Sequence, residues 1–251
     1  PKSIAKELTS QFPVNLFDPE GDNDRMDLSS SEIKERNDIP ECWRKFIEYQ
    51  SSQDFLNEFI EIFGDQILQL HPKLYRSKDA LKKLVAGRRF VDSFDGSDVL
   101  VDALISVNTP AKSMNSVRQA HVDGNKKLFS GLYYVRRPQD DSEGGNLLIC
   151  KWKNGYSSRD KLKYYKEGLE ENHFDVVEEI KYDNNVAVLF LNSMDALHSI
   201  TPRNVTKHYR TFANLIGDVN HKLYVKQPWY SMDRVKKKAA RFRKKYLGAK
   251  A

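Results

Sequence analysis

The hydrophobic pattern divides the chain into a helical first part and a β-rich second part. Up to about residue 97, apolar positions recur at helical spacing, and one such run places Trp43, Phe46 and Ile47 on a common face. The run SSQDFLNEFIEIFGDQILQL continues the pattern, with Ser52 as a candidate N-cap. This pattern predicts an N-terminal helical and loop region over residues 1–97 that packs on the remainder of the protein.

Short β-type runs separated by turn residues begin near residue 98. Eight occur in succession: DVLVDALISVN, SVRQAHV, SGLYYVRR, NLLICKW, FDVVEEIKY, VAVLFLNS, HSIT and YRTFANLIG. Many short strands without alternating helices predict a β-sandwich or barrel and not βαβ units. We assign this predicted core to residues 98–230, with a helix-forming insertion near 152–172.

Composition fits one large globular protein. The chain has 251 residues, 39% of them hydrophobic, which is enough to bury a substantial core. Because no apolar run approaches the length of a membrane span and the first residues lack a signal-peptide pattern, we expect a cytoplasmic protein without a membrane partner. The two cysteines, Cys42 and Cys150, have no disulfide or zinc-site spacing, so we expect buried thiols.

The positive charge is concentrated at the C-terminal end. The chain has a net charge of +6, and nine Lys or Arg residues without an acid lie between Arg234 and Ala251, so subtracting nine leaves −3 for the rest. Apolar residues in this tail recur at helical spacing, which predicts a basic amphipathic helix over 231–251. A docking helix is the preferred interpretation, and binding to an anionic partner is the alternative.

The stretch RQAHVDGNKK contains a candidate metal-binding pair. In an extended strand His121 and Asp123 point to the same face, roughly 6 to 7 Å apart along the backbone. A metal ion would fit between them. A surface histidine and aspartate without a ligand is the alternative explanation.

A second histidine and an arginine flank a turn-like segment, TPRNVTKH, further along the chain. If the flanks pair as a hairpin centred near Asn204, His198 and Arg210 lie opposite each other, with Cα atoms roughly 4.5 to 5.5 Å apart. Two neutral imidazoles and one carboxylate on one face of an octahedral ion leave three open positions, as in non-haem Fe(II) oxygenases. An arginine can bind a carboxylate through two parallel hydrogen bonds.

Taken in order, these motifs resemble the 2-oxoglutarate- and Fe(II)-dependent dioxygenases, most closely the prolyl-hydroxylase-like branch. HVD, LYYV, GGNL and the closing segment NNVAVLFLNSMDALHSITPRNVTKHYRTF carry the resemblance over about residues 100–217. It implies a mainly β fold with flanking helices, a double-stranded β-helix or jelly roll. It also implies Fe(II) held by His121, Asp123 and His198, with Arg210 binding the far carboxylate of 2-oxoglutarate and O₂ as a substrate.

The same resemblance assigns a role to one of the two adjacent tyrosines. Tyr134 matches a position whose hydroxyl often reaches the cosubstrate carboxylate, and strand parity would then direct Leu132 and Tyr134 inward and Tyr133 outward. Packing aromatics with solvated hydroxyls are the alternative. Ile200 would share the inward face of His198 and form an apolar wall.

Two positions depart from the family patterns. Arg118 stands three residues before His121, where prolyl hydroxylases often carry an aromatic. This departure puts proline in doubt as the substrate residue, because a cation at this position would suit an acidic group on the substrate. Ile216 replaces the second arginine of the nucleic-acid demethylase branch, which argues against DNA or RNA substrates. Arg203 is expected to be a solvated turn residue, and His208 is an alternative ligand.

The sequence therefore predicts an oxidoreductase that hydroxylates a C–H bond of a peptide residue, proline among the candidates, or of a small metabolite, with release of succinate and CO₂. The partner is then a peptide, protein or small-molecule substrate. One alternative is a cupin-type metal-binding protein without oxygenase activity. The other is a protein that binds nucleic acid or an acidic partner through its C-terminal helix.

Overall fold

The computed structural model describes residues 2–72, 74–163 and 168–224, which form two β-sheets packed face to face with helices on one side. The helices of this part of the chain are α1 (Lys2–Ser10), α2 (Ser30–Lys34), α3 (Glu41–Gln50), α4 (Gln53–Leu70), α5 (Lys78–Leu81) and α6 (Ser158–Lys163), with 3-10 turns at Val14–Leu16 and Glu171–His173. The strands are β1 (Arg25–Leu28), β2 (Ala86–Arg88), β3 (Val99–Asn108), β4 (Lys127–Val135), β5 (Leu147–Trp152), β6 (Phe174–Ile180), β7 (Asn184–Leu191), β8 (Leu197–Ile200) and β9 (Arg210–Val219).

The larger sheet has the order β1-β3-β9-β4-β7, and the smaller one has the order β6-β5-β8. All pairs are antiparallel except β2, a short strand that runs parallel to the start of β3. The two sheets remain separate in the described residues. The architecture is thus mainly β and has the two-layer form of a sandwich or jelly roll, in agreement with the predicted fold class at this level.

Strand parity explains how the larger sheet is packed on both faces. The odd-numbered residues of β3, such as Val101 and Ile105, face the helices and are fully buried. They belong to the same buried cluster as Trp43 of α3, which has no exposed surface and donates its indole N–H to the Leu8 carbonyl oxygen at 2.9 Å. The even-numbered residues point to the opposite face of the sheet, where Asn108 lines the space between the two sheets. The N-terminal helices therefore cover one face and leave the other for the interior of the sandwich.

A second apolar cluster lies between the sheets. Tyr134 and Phe212 from the larger sheet pack with Leu147 and Tyr182, and together they close one end of the interior. A third cluster around Trp152 and Phe174 covers the outer face of the smaller sheet. The interior is therefore sealed by aromatic packing at one end and stays open at the other, where the residues discussed below are found.

Seven of the eight predicted β-runs are strands in the structure. The exception is SVRQAHV, of which only Ala120 and His121 form isolated bridges. The described residues before 98 form helices α1 to α5 and the loops between them, and Ser52 caps α4 by accepting from the Phe55 amide. This region also contributes β1 and β2 to the larger sheet.

Two further expectations concern membranes and the basic tail. Within the described ranges, no helix is both long and apolar enough to cross a bilayer. The predicted C-terminal helix over 231–251 lies outside the described residues.

Candidate metal centre and its cavity

A cavity of about 300 Å³ lies between the two sheets. Its apolar wall consists of side chains from both sheets: Leu132, Leu147, Phe190, Ile200 and Phe212. The predicted site residues His121, Asp123, His198 and Arg210 line the same cavity. The described structure thus brings together, in one cavity, residues that lie up to 89 positions apart in the sequence.

His121, Asp123 and His198 form a cluster with the geometry of a metal site. One ligand atom from each of the three lies within 4.8 Å of the others. The Nε2 atom of His121 is 4.0 Å from an Asp123 carboxylate oxygen, and the two imidazole ring centres are 4.3 Å apart. Two nitrogen donors and one oxygen donor on one side of a common point suit a first-row transition metal with open positions.

Backbone pairing places the two histidines side by side. The His121 amide donates to the His198 carbonyl oxygen at 2.9 Å, and the His198 amide donates back to His121 at 3.1 Å. Such reciprocal bonds define a hydrogen-bonded antiparallel pair, in which the side chains share one face. This bridge extends the smaller sheet beyond β8 by one residue pair, although the segment before His121 is irregular.

Asp123 is held in the loop that follows His121. Its Oδ2 atom accepts a hydrogen bond from the Ser130 hydroxyl at 2.5 Å, and its Oδ1 atom lies 3.2 Å from the Lys127 ammonium group. The hydroxyl of Tyr224 donates to the Asp123 carbonyl oxygen. These contacts hold the Asp123 carboxylate in position beside the histidine pair, where a ligand oxygen is needed.

The hydrogen bonds of the two imidazoles determine which ring nitrogen is free. Nδ1 of His121 lies 2.8 Å from the Gln119 carbonyl oxygen, and Nδ1 of His198 lies 3.0 Å from that of Ala196. Because a carbonyl oxygen can only accept, both Nδ1 atoms must carry the proton. Both Nε2 atoms therefore keep a lone pair, which is the arrangement of metal-binding histidines.

Electrostatics favour the protonation states that a metal requires. Burial lowers the pKa of His121 to about 3, and the neighbouring His198 and Arg118 act in the same direction. Burial likewise lowers the pKa of His198. For Asp123, burial opposes ionisation, but Lys127 and the Ser130 hydrogen bond contribute to holding its pKa below the ordinary value. The site thus presents two neutral imidazoles and one carboxylate at neutral pH.

Arg210 is a buried cation without an acidic partner in the described part of the chain. Its side chain is 2% exposed, and it donates to the Asn108 amide oxygen at 3.1 Å and the Tyr134 hydroxyl at 2.7 Å. Its Nε–H has no acceptor. Burying an uncompensated charge costs several kcal/mol. A guanidinium kept in this state at a cavity wall indicates a binding position for an anion.

Tyr134 points inward, as strand parity predicted. It is fully buried and contacts Arg210, whereas Tyr133 on the opposite face packs against Phe46 of α3 at a ring separation of 5.4 Å. Burial raises the pKa of the Tyr134 hydroxyl. Because this oxygen accepts from Arg210, its own proton remains free to be donated to a bound anion. Leu132 and Ile200 line the cavity, also as predicted.

The predicted hairpin between His198 and Arg210 is wrong. β8 pairs with β5 in the smaller sheet, while β9 pairs with β3 and β4 in the larger one. The connecting residues instead bridge to an earlier loop, through Arg203 to Asn115 and Thr206 to Ala111. His198 and Arg210 therefore approach the cavity from opposite walls, which leaves room between them that a cross-strand pair would not.

Two other expectations for this segment are wrong. Arg203 has no exposed surface, since it donates to the Asn23 side chain and to the carbonyl oxygens of Thr109 and His208. Asn23 and Thr109 are 180 and 94 positions away from Arg203, so the local turn pattern gave no sign of them. His208 faces Asp141, with 3.3 Å between Nε2 and the carboxylate, and does not line the cavity.

Gly144 and Gly145 allow a loop to approach both buried arginines. Their φ angles are +82° and +73°, in the region that side chains disfavour. A Cβ atom at Gly144 would lie 1.9 Å from the Pro202 carbonyl oxygen, and one at Gly145 would lie 3.0 Å from the Arg210 side chain. The GGNL motif thus serves close packing beside the anion position.

We expect Gly144→Ala to lower the free energy of unfolding by about 1–3 kcal/mol more than Gly155→Ala. Gly155 also has a positive φ, +96°, but a Cβ atom there would meet nothing within 4 Å. The control therefore carries the backbone strain without the contact. Urea unfolding of the two variants measures the difference. Equal losses would show that the contact with Pro202 does not constrain the loop.

Comparison with known proteins identifies structural likeness only. No protein-family model matches the chain, and no curated protein matches it. A Pseudomonas putida prolyl-4-hydroxylase aligns with 88% of this chain and 89% of its own at 12% identity and a TM-score of 0.44. A candidate oxygenase from Shewanella oneidensis aligns over 100% and 87% at 15% identity and a TM-score of 0.45. A prolyl 4-hydroxylase from Phytophthora capsici aligns over 96% and 70% at 11% identity and a TM-score of 0.40.

Proposed function

We propose that this protein is an Fe(II)- and 2-oxoglutarate-dependent dioxygenase built on a double-stranded β-helix. It would hydroxylate a C–H bond of its substrate and release succinate and CO₂. One observation carries the proposal: a His-Asp-His cluster and a buried arginine without an acidic partner in the described residues line the same cavity. Neither group alone is specific. Together they match a metal ion and a cosubstrate with a second, distant carboxylate.

The donor set fits ferrous iron. His121 and His198 would bind through Nε2, which is free because Nδ1 of each ring donates to a carbonyl oxygen. Asp123 would bind through a carboxylate oxygen, which the Ser130 hydrogen bond orients. When bound, the ferrous ion supplies the oxygen-activating chemistry. The protein's contribution is to fix three ligands on one side and leave the cavity side open.

Arg210 and Tyr134 would hold the far carboxylate of 2-oxoglutarate. The guanidinium is kept in place by Asn108 and by three aromatic rings within 5.3 Å of its central carbon. A carboxylate in this position gains two charge-assisted hydrogen bonds and the free Tyr134 proton. The charge of Arg210 would thereby be compensated, which explains how the fold tolerates it.

The apolar wall would exclude water from the reacting atoms. Leu132, Ile200 and Phe212 line the same cavity as the metal cluster and Arg210. A low local dielectric strengthens the ionic contacts of the cosubstrate. The apolar wall also confines the substrate C–H bond to a site with few competing reactions.

An anaerobic titration tests the proposal. Adding Fe(II) and 2-oxoglutarate together is expected to give a weak visible charge-transfer band, because the 2-oxo acid chelates the metal. Succinate in place of 2-oxoglutarate should give none, since it lacks the 2-oxo group. In air, the same mixture should release succinate slowly without added substrate. Tight metal binding with neither band nor succinate would instead support the cupin-type alternative.

A further inference from the structure

The cavity is positively charged beyond what the metal site and the cosubstrate need. The described residues that line it include four cations, Arg25, Arg118, Lys127 and Arg210, and one carboxylate, Asp123. With neutral histidines its formal charge is +3. A divalent ion and the doubly negative 2-oxoglutarate cancel each other, so the loaded cavity would still carry +3.

This positive charge is local. Residues 1–233 together carry a net charge of −3, because the excess of Lys and Arg lies in the tail after residue 233. A concave, partly apolar surface lined mainly by one sign of charge focuses the field at its opening. The cavity would therefore attract an anion to its opening.

The cations differ in how far they are already neutralised. Lys127 lies 3.2 Å from Asp123, and Arg25 lies 2.9 Å from Asp27, with its side chain 35% exposed. Arg25 is further fixed against the Phe212 ring, 5.5 Å from its centre. Both of these cations are already paired with a carboxylate, so neither is free to bind an additional anion.

Arg118 is the uncommitted cation of the cavity. Its backbone atoms bond to the Ser116 side chain, but within the described residues its guanidinium has neither a carboxylate partner nor a hydrogen-bond acceptor. It is solvent-exposed and lines the cavity together with His121 and His198. A long, exposed side chain beside the metal cluster can reach a molecule that enters from solvent.

We infer that the primary substrate carries a carboxylate or phosphate group, and that Arg118 pairs with this group at the cavity rim. The inference rests on the proposed function, since it presupposes that Arg210 is occupied by the cosubstrate. Arg118 then acts as a specificity determinant. It would orient the substrate so that its C–H bond, and not its anionic end, faces the metal cluster.

Paramagnetic relaxation of small anions tests this inference directly. The full-length protein is loaded with Mn(II) and 2-oxoglutarate, and the relaxation of inorganic phosphate (³¹P) or acetate (¹H) is measured. We expect enhanced relaxation that saturates with anion concentration, and an affinity roughly tenfold lower in Arg118→Gln, the loss of about one charge-assisted contact. Arg36→Gln removes an exposed arginine outside the cavity and should behave as wild type.

The outcomes are distinguishable. Enhancement with phosphate alone assigns a phosphate group to the substrate, and enhancement with acetate alone assigns a carboxylate. Equal enhancement in wild type and Arg118→Gln would mean that the anion binds the metal directly. No enhancement in wild type would mean that the cavity rim binds no anion. Either result overturns the inference. A missing Fe(II)–2-oxoglutarate band would overturn the proposed function, and with it this inference.

Discussion

Replacing His198 with alanine is expected to weaken binding of a divalent metal by roughly 100-fold or more. Removing a partner that merely orients a metal ligand already costs 10- to 100-fold in affinity, and His198 would supply the ligand atom itself. Its Nε2 atom is aimed at the cluster because Nδ1 is committed to the Ala196 carbonyl oxygen. Calorimetric titration with Co(II) or Mn(II) measures the change.

His208→Ala is the matched control for this variant. It removes an imidazole that faces Asp141 outside the cavity, so the metal affinity should remain within about twofold of wild type. Thermal unfolding gives a second readout, since a ligand that binds only the folded state raises the unfolding temperature. A metal-induced rise that persists in His198→Ala would contradict the assignment of this histidine.

Arg210→Met is expected to weaken 2-oxoglutarate binding by roughly 100-fold or more while leaving the metal affinity unchanged. Each hydrogen bond to a charged group contributes about 1.5–3 kcal/mol, and a carboxylate on Arg210 would accept two. Methionine fills a similar volume without a donor. Titrating the anaerobic charge-transfer band with 2-oxoglutarate at saturating Fe(II) gives the dissociation constant.

Two further variants separate the contributions of charge and of individual hydrogen bonds to 2-oxoglutarate binding. Arg210→Lys keeps the charge but loses the two parallel hydrogen bonds, so we expect an intermediate loss of affinity. Tyr134→Phe removes only the hydroxyl that Arg210 contacts, and we expect a smaller loss of about fivefold, equivalent to one hydrogen bond. Unchanged affinity in Arg210→Met would show that the dicarboxylate binds elsewhere and would remove the main support for the proposed function.

The features that could be predicted from sequence are those set by local periodicity. Once the resemblance had assigned Tyr134 to the cosubstrate position, alternation along β4 predicted Tyr134 inside and Tyr133 outside, because successive side chains of a strand point to opposite faces. Helical spacing was sufficient to identify the buried face of α3 around Trp43. The H-x-D spacing also predicted that His121 and Asp123 lie close together, and they belong to one cluster. Asp123, however, lies in a loop and not in a strand.

The features that could not be predicted depend on contacts between distant segments. The pairing of His121 with His198 rests on two backbone hydrogen bonds, which leave no trace in the side-chain pattern. The burial of Arg203 depends on Asn23 and Thr109, and the turn around it looks solvated when considered alone. The false hairpin arose in the same way: the symmetry of TPRNVTKH is compatible with local pairing, but the flanking strands find better partners in separate sheets.

β1 and β2 lie along the same side of β3, opposite β9. Between them they occupy most of the hydrogen-bonding groups on that side of a ten-residue strand. A chain shortened to begin at β3 would keep every proposed metal ligand, yet it would present an open strand edge to other molecules. Self-association through that edge would then compete with folding, so β1 and β2 would protect the sheet from aggregation.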